Sequence, residues 1–431
     1  MKIYPEKLKS SVFFQNIAIV AGGNIAAKAI VIFTTPLITR LYSPDDYGVF
    51  SMFISIVGVV GSLATLRYAV TIPLAQSERL AMNLIKLCFV ITLSISLIWM
   101  FVVLIAGEFI VDLFSVPQML SYLWLMPIVF FGTGIYEALN NWAVRVRNFR
   151  LITQTKISQS TSSSIIKIGF GLLNVTPLGL IIGHIAQEAA GITSLFSKLL
   201  RLKPGFVKTF NWNGLKYAAR RYKKFPLVQS WSQLLLALGA QLPLLLIGSI
   251  YGLEVAGVFG LAQNMINIPM DLIGQSVAQV YYAEISKYGK NNPDKIYKLS
   301  VSIIKKLFLV AIVPVGIITL FGPWLFALVF GVEWVDAGLY ARYFSLVILA
   351  RFISSPITNV FNVFEQQGVQ LLLNITRVVI VLIIFFLSNW LDFSANQAII
   401  LYSIVFPVYS IIGLIVAVNI MKKKISKNSF A

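Results

Sequence analysis

The sequence predicts an all-α integral membrane protein with about twelve transmembrane helices arranged as two six-helix bundles. Three observations support this fold class: an excess of apolar residues, a series of long apolar runs, and a short pattern that occurs once in each half. Hydrophobic residues make up 58% of the 431 residues, and charged residues only 12%. An average soluble domain has about 45–50% apolar residues and about 25% charged ones. A soluble protein of this length cannot bury so much apolar surface, so lipid is its expected solvent.

The apolar runs match the length that a helix needs to cross a bilayer, which is about 20 residues. Twelve runs are predicted to be spans, at 11–36, 46–72, 83–106, 119–141, 155–173, 175–199, 225–249, 256–282, 300–322, 338–363, 369–389 and 396–420. The fifth and sixth are separated only by NVTPLG (174–179). The Asn, Pro and Gly of that segment favour a tight turn.

Lysine and arginine residues are concentrated in the loops on one side of the predicted spans. That side holds the N-terminus, the segment 200–224 and the C-terminal tail, whereas the opposite loops are mostly acidic. The positive-inside rule therefore predicts that both termini are cytoplasmic. The same loops account for most of the net charge of +19. This distribution does not indicate nucleic-acid binding, and it favours attraction of the basic loops to anionic membrane lipids.

A turn pattern in the first half recurs in the second half. The segment RLYSPDDYGVF (40–50) is matched by SIYGLEVAGVF (249–259). In the first copy, Asp45 or Asp46 is predicted to cap the helix that follows. Both copies lie between an odd and an even span, so the two halves are predicted to share one topology. The alternative interpretation is that these are two similar turns without shared ancestry.

Matching halves indicate a parallel repeat, in which two bundles are related by an axis along the membrane normal. The predicted organisation is a six-helix bundle at 1–199, a basic cytoplasmic connector at 200–224 and a second six-helix bundle at 225–431. This plan is common among transporters.

Polar side chains recur at helical spacing within several predicted spans. The stripes are Lys156, Ser160, Ser163 and Lys167 in the fifth span, Asn264, Asn267, Asp271 and Gln275 in the eighth, and Arg351, Ser355, Thr358 and Asn362 in the tenth. Charges at membrane depth are costly and usually face a bundle interior or a water-filled cavity. The cations and asparagines predicted to line such a cavity are Asn24, Lys28, Arg67, Lys167, Asn264, Asn267, Arg351 and Arg377. Because the deep cations outnumber the deep acids, the predicted cavity suits an anionic cargo.

The other ionisable residues in the spans have two interpretations. Glu137, Glu188 and Asp271 are either ion-coupling groups or structural partners of nearby cations. His184 is either a proton carrier or a hydrogen-bonding group between helices. For Arg67, snorkelling towards the cytoplasmic surface is an alternative to lining the cavity.

No motif in the sequence indicates an enzyme or an ATP-driven pump. The Walker phosphate-binding loop and the G-x-S-x-G and H-E-x-x-H motifs are all missing from the sequence. The chain has one histidine and one cysteine, so a metal site and an intrachain disulfide are not expected, and no cofactor is predicted. Two six-span halves favour transport by alternating access.

Four segments carry a resemblance to a known family. They are GGNIAAK (22–28), PLITRLYSPDDYGVFSMF (36–53), LRYAVTIPLA (66–75) and ALNNWAVRVRNFRLITQTKISQS (138–160). Together they resemble the polysaccharide flippases of the Wzx type, within the multidrug/oligosaccharidyl-lipid/polysaccharide (MOP) exporter superfamily. The first 170 or so residues carry the resemblance best, and the second half fits mainly by topology.

The resemblance implies a cationic lumen between two helix bundles in the bacterial inner membrane. The implied cargo is an undecaprenyl-pyrophosphate-linked oligosaccharide repeat unit for O-antigen or capsule assembly. The implied protein partners are a polysaccharide polymerase and a chain-length regulator. Arg67, Arg145, Arg147 and Phe149 stand at family-pattern positions, and Arg145 and Arg147 are candidates for the cytoplasmic mouth.

Two other functions remain open from the sequence. The first is a multidrug or organic-cation antiporter of the same superfamily, which should have a net acidic cavity. The second is a membrane enzyme or scaffold in polysaccharide assembly, which should tolerate the loss of Lys167 or Arg351.

Overall fold

The computed structural model describes residues 6–206, 211–289 and 292–429. Helices dominate these ranges, and no strand occurs in them. The chain divides into two compact units, Met1–Gln241 and Leu242–Ala431, with the division inside one helix. The predicted bundle and connector boundaries stay predictions.

The first unit contains six long helices in chain order, followed by a short one. They are α1 (Glu6–Ile38), α2 (Pro44–Gly61), α3 (Glu78–Leu113), α4 (Met126–Arg145), α5 (Phe149–Leu172), α6 (Leu178–Leu202) and α7 (Trp212–Arg221). Two 3-10 segments, Ala69–Leu74 and Pro117–Leu125, precede α3 and α4 respectively. Within the unit, α1 packs on α5, α5 and α4 pack on α6, and α3 packs on α4 and α7.

The second unit begins within α8 (Ser230–Tyr251), which follows a π-helical turn at Phe225–Gln229. The remaining helices are α9 (Leu253–Tyr288), α10 (Pro293–Phe330), α11 (Val335–Ile357), the single-turn α12 (Val360–Val363), α13 (Gln367–Trp390) and α14 (Ala395–Ser429). Here α10 and α9 pack on α11, and α11 and α13 pack on α14. The pairs α10–α11 and α11–α14 repeat the pairs α3–α4 and α4–α6 of the first unit. The fold class predicted from the sequence is confirmed.

Nine of the described helical segments are long and apolar enough to cross a membrane by length and composition. The three other long helices are α2, α5 and α9, with 18, 24 and 36 residues. All three correspond to predicted spans, and each has a reason to be less apolar. Two aspartates open α2, a run of Ser, Thr, Gln and Lys occupies α5, and α9 carries the asparagine stripe. Two of these three less apolar helices, α5 and α9, therefore carry predicted polar stripes.

The repeated turn has a different chemistry in each unit. Before α2, Ser43 is the N-cap, and its hydroxyl accepts from the Asp46 backbone N–H while the Asp46 carboxylate accepts from the Ser43 backbone N–H. The prediction that Asp45 or Asp46 is the cap was therefore wrong: Asp46 occupies the third helical position and completes a capping box. At the second copy, α8 gives way to α9 through Gly252 alone, with φ +91°.

Each unit has its own buried core. In the first, Leu84, Cys88 and Trp142 of α3 and α4 are buried together with Leu215 of α7. In the second, Tyr281 and Phe361 lie in a core formed by α9, α10, α12 and α14. Apolar side chains on the outer faces of α3 and α10 are exposed, as expected of helices that face lipid.

Candidate functional site

The second unit contains a cavity of about 90 Å³ between α9 and α11. Its polar lining consists of Asn267, Gln275, Arg351 and Ser355. Asn267 and Gln275 belong to the stripe predicted for the eighth span, and Arg351 and Ser355 to that of the tenth. The packing of α9 against α11 brings these two stripes onto one cavity, because each follows the helical repeat along its own helix.

Arg377 of α13 lies among aromatic rings in the same unit. Its guanidinium carbon is 5.2 Å from the centroid of the Phe406 ring, and its Nε is buried without an acceptor among the described residues. Among the carboxylates whose side chains the structure describes, a set that does not include Asp271, none forms an ion pair with Arg351 or Arg377. The positive charge of these two side chains is therefore not neutralised by a described acid.

The predicted cations of the first unit lie in different surroundings. Arg67 Nη1 is 3.7 Å from Glu137 Oε1, and the hydroxyl of Thr65 donates to Glu137 Oε2 at 2.8 Å. The backbone at Leu66 and Arg67 is left-handed, with φ values of +45° and +61°. This conformation is uncommon for residues other than glycine, so the LRY segment is a strained turn held at the end of α2. Glu137 thus has the cation and the hydroxyl as partners.

Lys167 of α5 lies beside aromatic side chains. Its Nζ is 4.6 Å from the centroid of the Phe50 ring, and the His184 ring makes an edge contact with the same ring at 6.4 Å. The Tyr42 hydroxyl donates to the Lys167 backbone carbonyl at 2.7 Å. Burial and the nearby Asp46 carboxylate raise the pKa of Tyr42 to about 12, so this hydroxyl remains a donor at neutral pH.

Glu188 of α6 lies where α6 passes close to α4. Its Oε2 is buried without a hydrogen-bond partner in the part of the chain that the structure describes. Its side chain lies against the Cα of Gly132, where an added Cβ would be 3.0 Å from Glu188 Cβ. One helical turn away on α6, Gly191 packs against Gln159 and Tyr136. The small glycines permit this close approach of α4, α5 and α6.

The other predicted cavity-lining and ion-coupling residues lie on α1 and α9. On α1, Lys28 is exposed and Asn24 is half-buried, and on α9 Asn264 is exposed. Asp271 lies in α9, but its side chain falls outside the described part of the chain. The structure thus describes separate polar groups within each unit, and the single cavity stays a prediction.

Arg145 and Arg147, the candidates for the cytoplasmic mouth, differ in their contacts. Arg145 Nη1 donates to the carbonyls of Ile72, Pro73 and Ala75, the last at 2.7 Å. It therefore anchors the 3-10 segment before α3 to the end of α4. Arg147 is exposed and has a left-handed backbone with φ +55°.

The partners of the predicted charges were not identified from the sequence. Thr65, Phe50 and Phe406 each contact a charged site residue, yet threonine and phenylalanine are ordinary residues in an apolar helix. Phe50 and Phe406 are on other helices than the charges they contact, so helical spacing within one span does not reveal the contact. For Thr65 alone, its place two residues before Arg67 in a turn is a local clue.

The comparisons with known proteins agree with this architecture. A family model described as "Polysaccharide biosynthesis protein" matches residues 37–338. No curated protein matches the chain. An inward-facing multidrug resistance MATE family transporter of the MOP superfamily is similar in structure, with a TM-score of 0.74 and 16% identity over 92% of this chain and 96% of the other.

Two further solved structures are similar. One is the lipid II flippase MurJ in an inward closed conformation, with a TM-score of 0.69 and 16% identity over 95% of this chain and 90% of the other. Another is a MOP superfamily transporter from Pyrococcus furiosus, described as having a binding pocket of reversed polarity. Its TM-score is 0.59, with 14% identity over 96% of this chain and 95% of the other. At these identities the likeness concerns the fold.

Proposed function

This chain belongs to the polysaccharide biosynthesis protein family, and from that premise we propose that it is a flippase for lipid-linked oligosaccharides. The proposed cargo is an undecaprenyl-pyrophosphate-linked repeat unit that crosses the bacterial inner membrane for O-antigen or capsular polysaccharide assembly. The family match covers residues 37–338, and the MOP-superfamily fold supplies the scaffold of a multi-pass membrane transporter. Both termini are proposed to be cytoplasmic because the basic loops lie on their side.

The observation that carries this proposal is the pair of arginines in the second unit. A membrane-embedded cation without a carboxylate partner is costly, and such residues commonly mark a substrate pathway. The planar guanidinium presents paired donors that match phosphate oxygens. Arg351 lines a cavity, and the buried Nε of Arg377 has no acceptor among the residues described. An anionic pyrophosphate supplies an acceptor for the Arg377 Nε and paired oxygens for the Arg351 guanidinium in its cavity.

The proposed mechanism is alternating access through a cationic central cavity. The pyrophosphate enters from the cytoplasmic side, and the prenyl chain stays in lipid because its apolar surface gains nothing from leaving it. Lys28, Lys167 and Arg67 are proposed to contribute to the cationic lining, together with Asn24, Asn264 and Asn267. Glu137, His184, Glu188 and Asp271 are the candidates for coupling transport to an ion gradient. A polymerase and a chain-length regulator are the proposed partners on the product side.

A deletion strain tests the proposal, provided that no redundant transporter is present. We expect loss of surface polysaccharide and accumulation of the lipid-linked repeat unit, both restored by the wild-type gene. Arg377→Gln should fail to restore export, Arg377→Lys should restore part of it, and the exposed-site control Arg150→Gln should restore it fully. Normal surface polysaccharide in the deletion strain would exclude the flippase function.

Drug sensitivity of the same strain separates the flippase from the multidrug alternative. An organic-cation antiporter requires acidic groups to bind its cargo, and the arginine pair repels a cationic compound. We expect unchanged susceptibility to cationic dyes and antibiotics. A large increase in susceptibility, with normal polysaccharide, would favour the antiporter.

A further inference from the structure

A polar pocket lies where the first turns of α3 and α7 face each other in the first unit. Its volume is about 350 Å³. The residues around it are Ser77, Arg79, Leu80, Asn83, Asn211, Asn213, Gly214 and Tyr217. These residues come from the start of a long span and from the connector helix, in the segments that the positive-inside rule places at the cytoplasmic surface.

Two helix N-termini border this pocket. Ser77 caps α3 by accepting from the Leu80 backbone N–H at 3.2 Å, and Asn211 caps α7 by accepting from the Gly214 backbone N–H at 3.3 Å. Each cap uses one donor of its first turn, whereas a helix has about four N–H groups without an intrahelical acceptor. The partial positive charge of both helix dipoles therefore favours an anion here.

The buried amide of Asn83 is an independent indication of a ligand. Asn83 is 8% exposed and lines the pocket, and its side chain lies against the Cα of Gly214. No protein hydrogen bond to this amide is found over the described ranges, and its polar atoms are not among the fully buried unpartnered ones, so they are open to the pocket. A ligand oxygen in the pocket can accept from its NH₂ group. A side chain at position 214 would overlap Asn83, so glycine there keeps the amide accessible.

The fixed charges around the pocket also favour an anion. Arg79 is exposed at its rim, while Glu78, the nearest acid in sequence, is paired with Lys203 at 3.2 Å. On α7, the aromatic side chains of Trp212 and Tyr217 are 63% and 57% exposed. Exposed aromatic rings beside basic residues are typical of helices that lie in the headgroup region of a membrane. The pocket thus faces the layer where lipid phosphates are found.

We propose that this pocket binds a phosphoryl group, supplied by the headgroup of an anionic phospholipid of the cytoplasmic leaflet. Asn83 and Arg79 donate to the phosphate oxygens, and the first turns of α3 and α7 add backbone donors. The bound headgroup holds the connector helix against α3. This inference does not depend on the identity of the transported cargo.

The experiment measures calorimetric binding of short-chain phosphatidylglycerol to the full-length protein in a nonionic detergent. Diacylglycerol of the same chain length is the phosphate-free control, and inorganic phosphate is tested as a competitor. We expect phosphatidylglycerol to bind, diacylglycerol not to bind, and inorganic phosphate to displace the lipid. Binding of inorganic phosphate without binding of the lipid would overturn the assignment to a phospholipid.

Variants locate the binding within the protein. Asn83→Asp keeps the side-chain shape but places a negative charge in the pocket, so we expect binding to weaken at least about tenfold. Arg79→Gln should weaken it less, and the control Lys216→Gln, an exposed cation of α7 outside the pocket, should change it less than about twofold. Elution profile and thermal stability confirm that the variants are folded. Wild-type affinity in a folded Asn83→Asp protein would overturn the proposal.

Discussion

The two units have the same order of long helices, but the arginines within their predicted spans have different partners. In the first unit, Arg67 is paired with the carboxylate of Glu137. In the second, Arg351 and Arg377 have no carboxylate partner among the side chains that the structure describes. A repeated fold therefore does not imply repeated chemistry. An arginine paired with a carboxylate has part of its charge neutralised within its own unit, whereas one without such a partner is available to an anion from outside it.

Charge reversal in the second unit should have the largest effect on function. We expect Arg351→Glu to reduce export of surface polysaccharide by at least about tenfold, because it replaces a donor to the phosphate by a repelling charge. Membrane abundance should remain near wild type, since no described ion pair is broken. Quantitative blotting of membranes and measurement of surface polysaccharide check both statements.

Glu137→Gln is the matched change in the first unit. It should leave more export than Arg351→Glu when the two proteins are compared at equal abundance. Equal loss of export in the two variants would remove the functional distinction between the units.

A glycine lies where two helices pack closely in each unit: Gly338 at the contact of α10 with α11, and Gly134 at the contact of α3 with α4. Substitution of these glycines is expected to have the largest effects on stability. In the second unit, a Cβ at Gly338 would lie 2.5 Å from the Pro323 Cα and would overlap the Gly322 carbonyl oxygen. In the first, a Cβ at Gly134 would meet side-chain atoms of Thr92 at 2.5 and 2.6 Å. Backbone cannot rotate away, whereas a side chain can adopt another rotamer.

Gly338→Ala should therefore lower the free energy of unfolding by about 3 kcal/mol, and Gly134→Ala by about half as much. The free energies of unfolding are compared by denaturation of the purified variants in mixed micelles. A smaller effect for Gly338→Ala than for Gly134→Ala would contradict this account of the two crossings.

Loss of the Arg67–Glu137 ion pair in the first unit is expected to lower the free energy of unfolding by an intermediate amount. Glu137→Ala should reduce the free energy of unfolding by about 2 kcal/mol, because it leaves the Arg67 guanidinium and the Thr65 hydroxyl without their shared acceptor. The double variant Arg67→Met/Glu137→Met removes both charges and should recover most of this loss. A double variant less stable than the single one would show that the pair is not the source of the effect.

The sequence predicts most of the fold but only parts of the candidate site. The stripes of α9 and α11 are visible because polar residues repeat every three or four positions, and Asn267 and Arg351 do line one cavity. The role of Arg145 is not visible, because its acceptors are carbonyls of a 3-10 segment about 70 residues away. Every residue type has a backbone carbonyl, so the sequence does not show which carbonyls accept these hydrogen bonds. Likewise, the left-handed turn at Arg67 depends on surrounding contacts and not on a glycine.

The two copies of the repeated turn allow a finer comparison of the same kind. Ser43→Ala should lower stability by about 1 kcal/mol, because it removes the oxygen that accepts from the first turn of α2. Gly252→Ala should cost about the same for another reason, since φ +91° is unfavourable for a residue with a Cβ. Hydrogen exchange separates the two causes. Loss of the cap should raise exchange at the start of α2, whereas strain at Gly252 should raise exchange on both sides of the turn, in α8 and α9. Identical exchange patterns at the two turns would mean that they share one stabilising contact, as their matching sequences alone suggest.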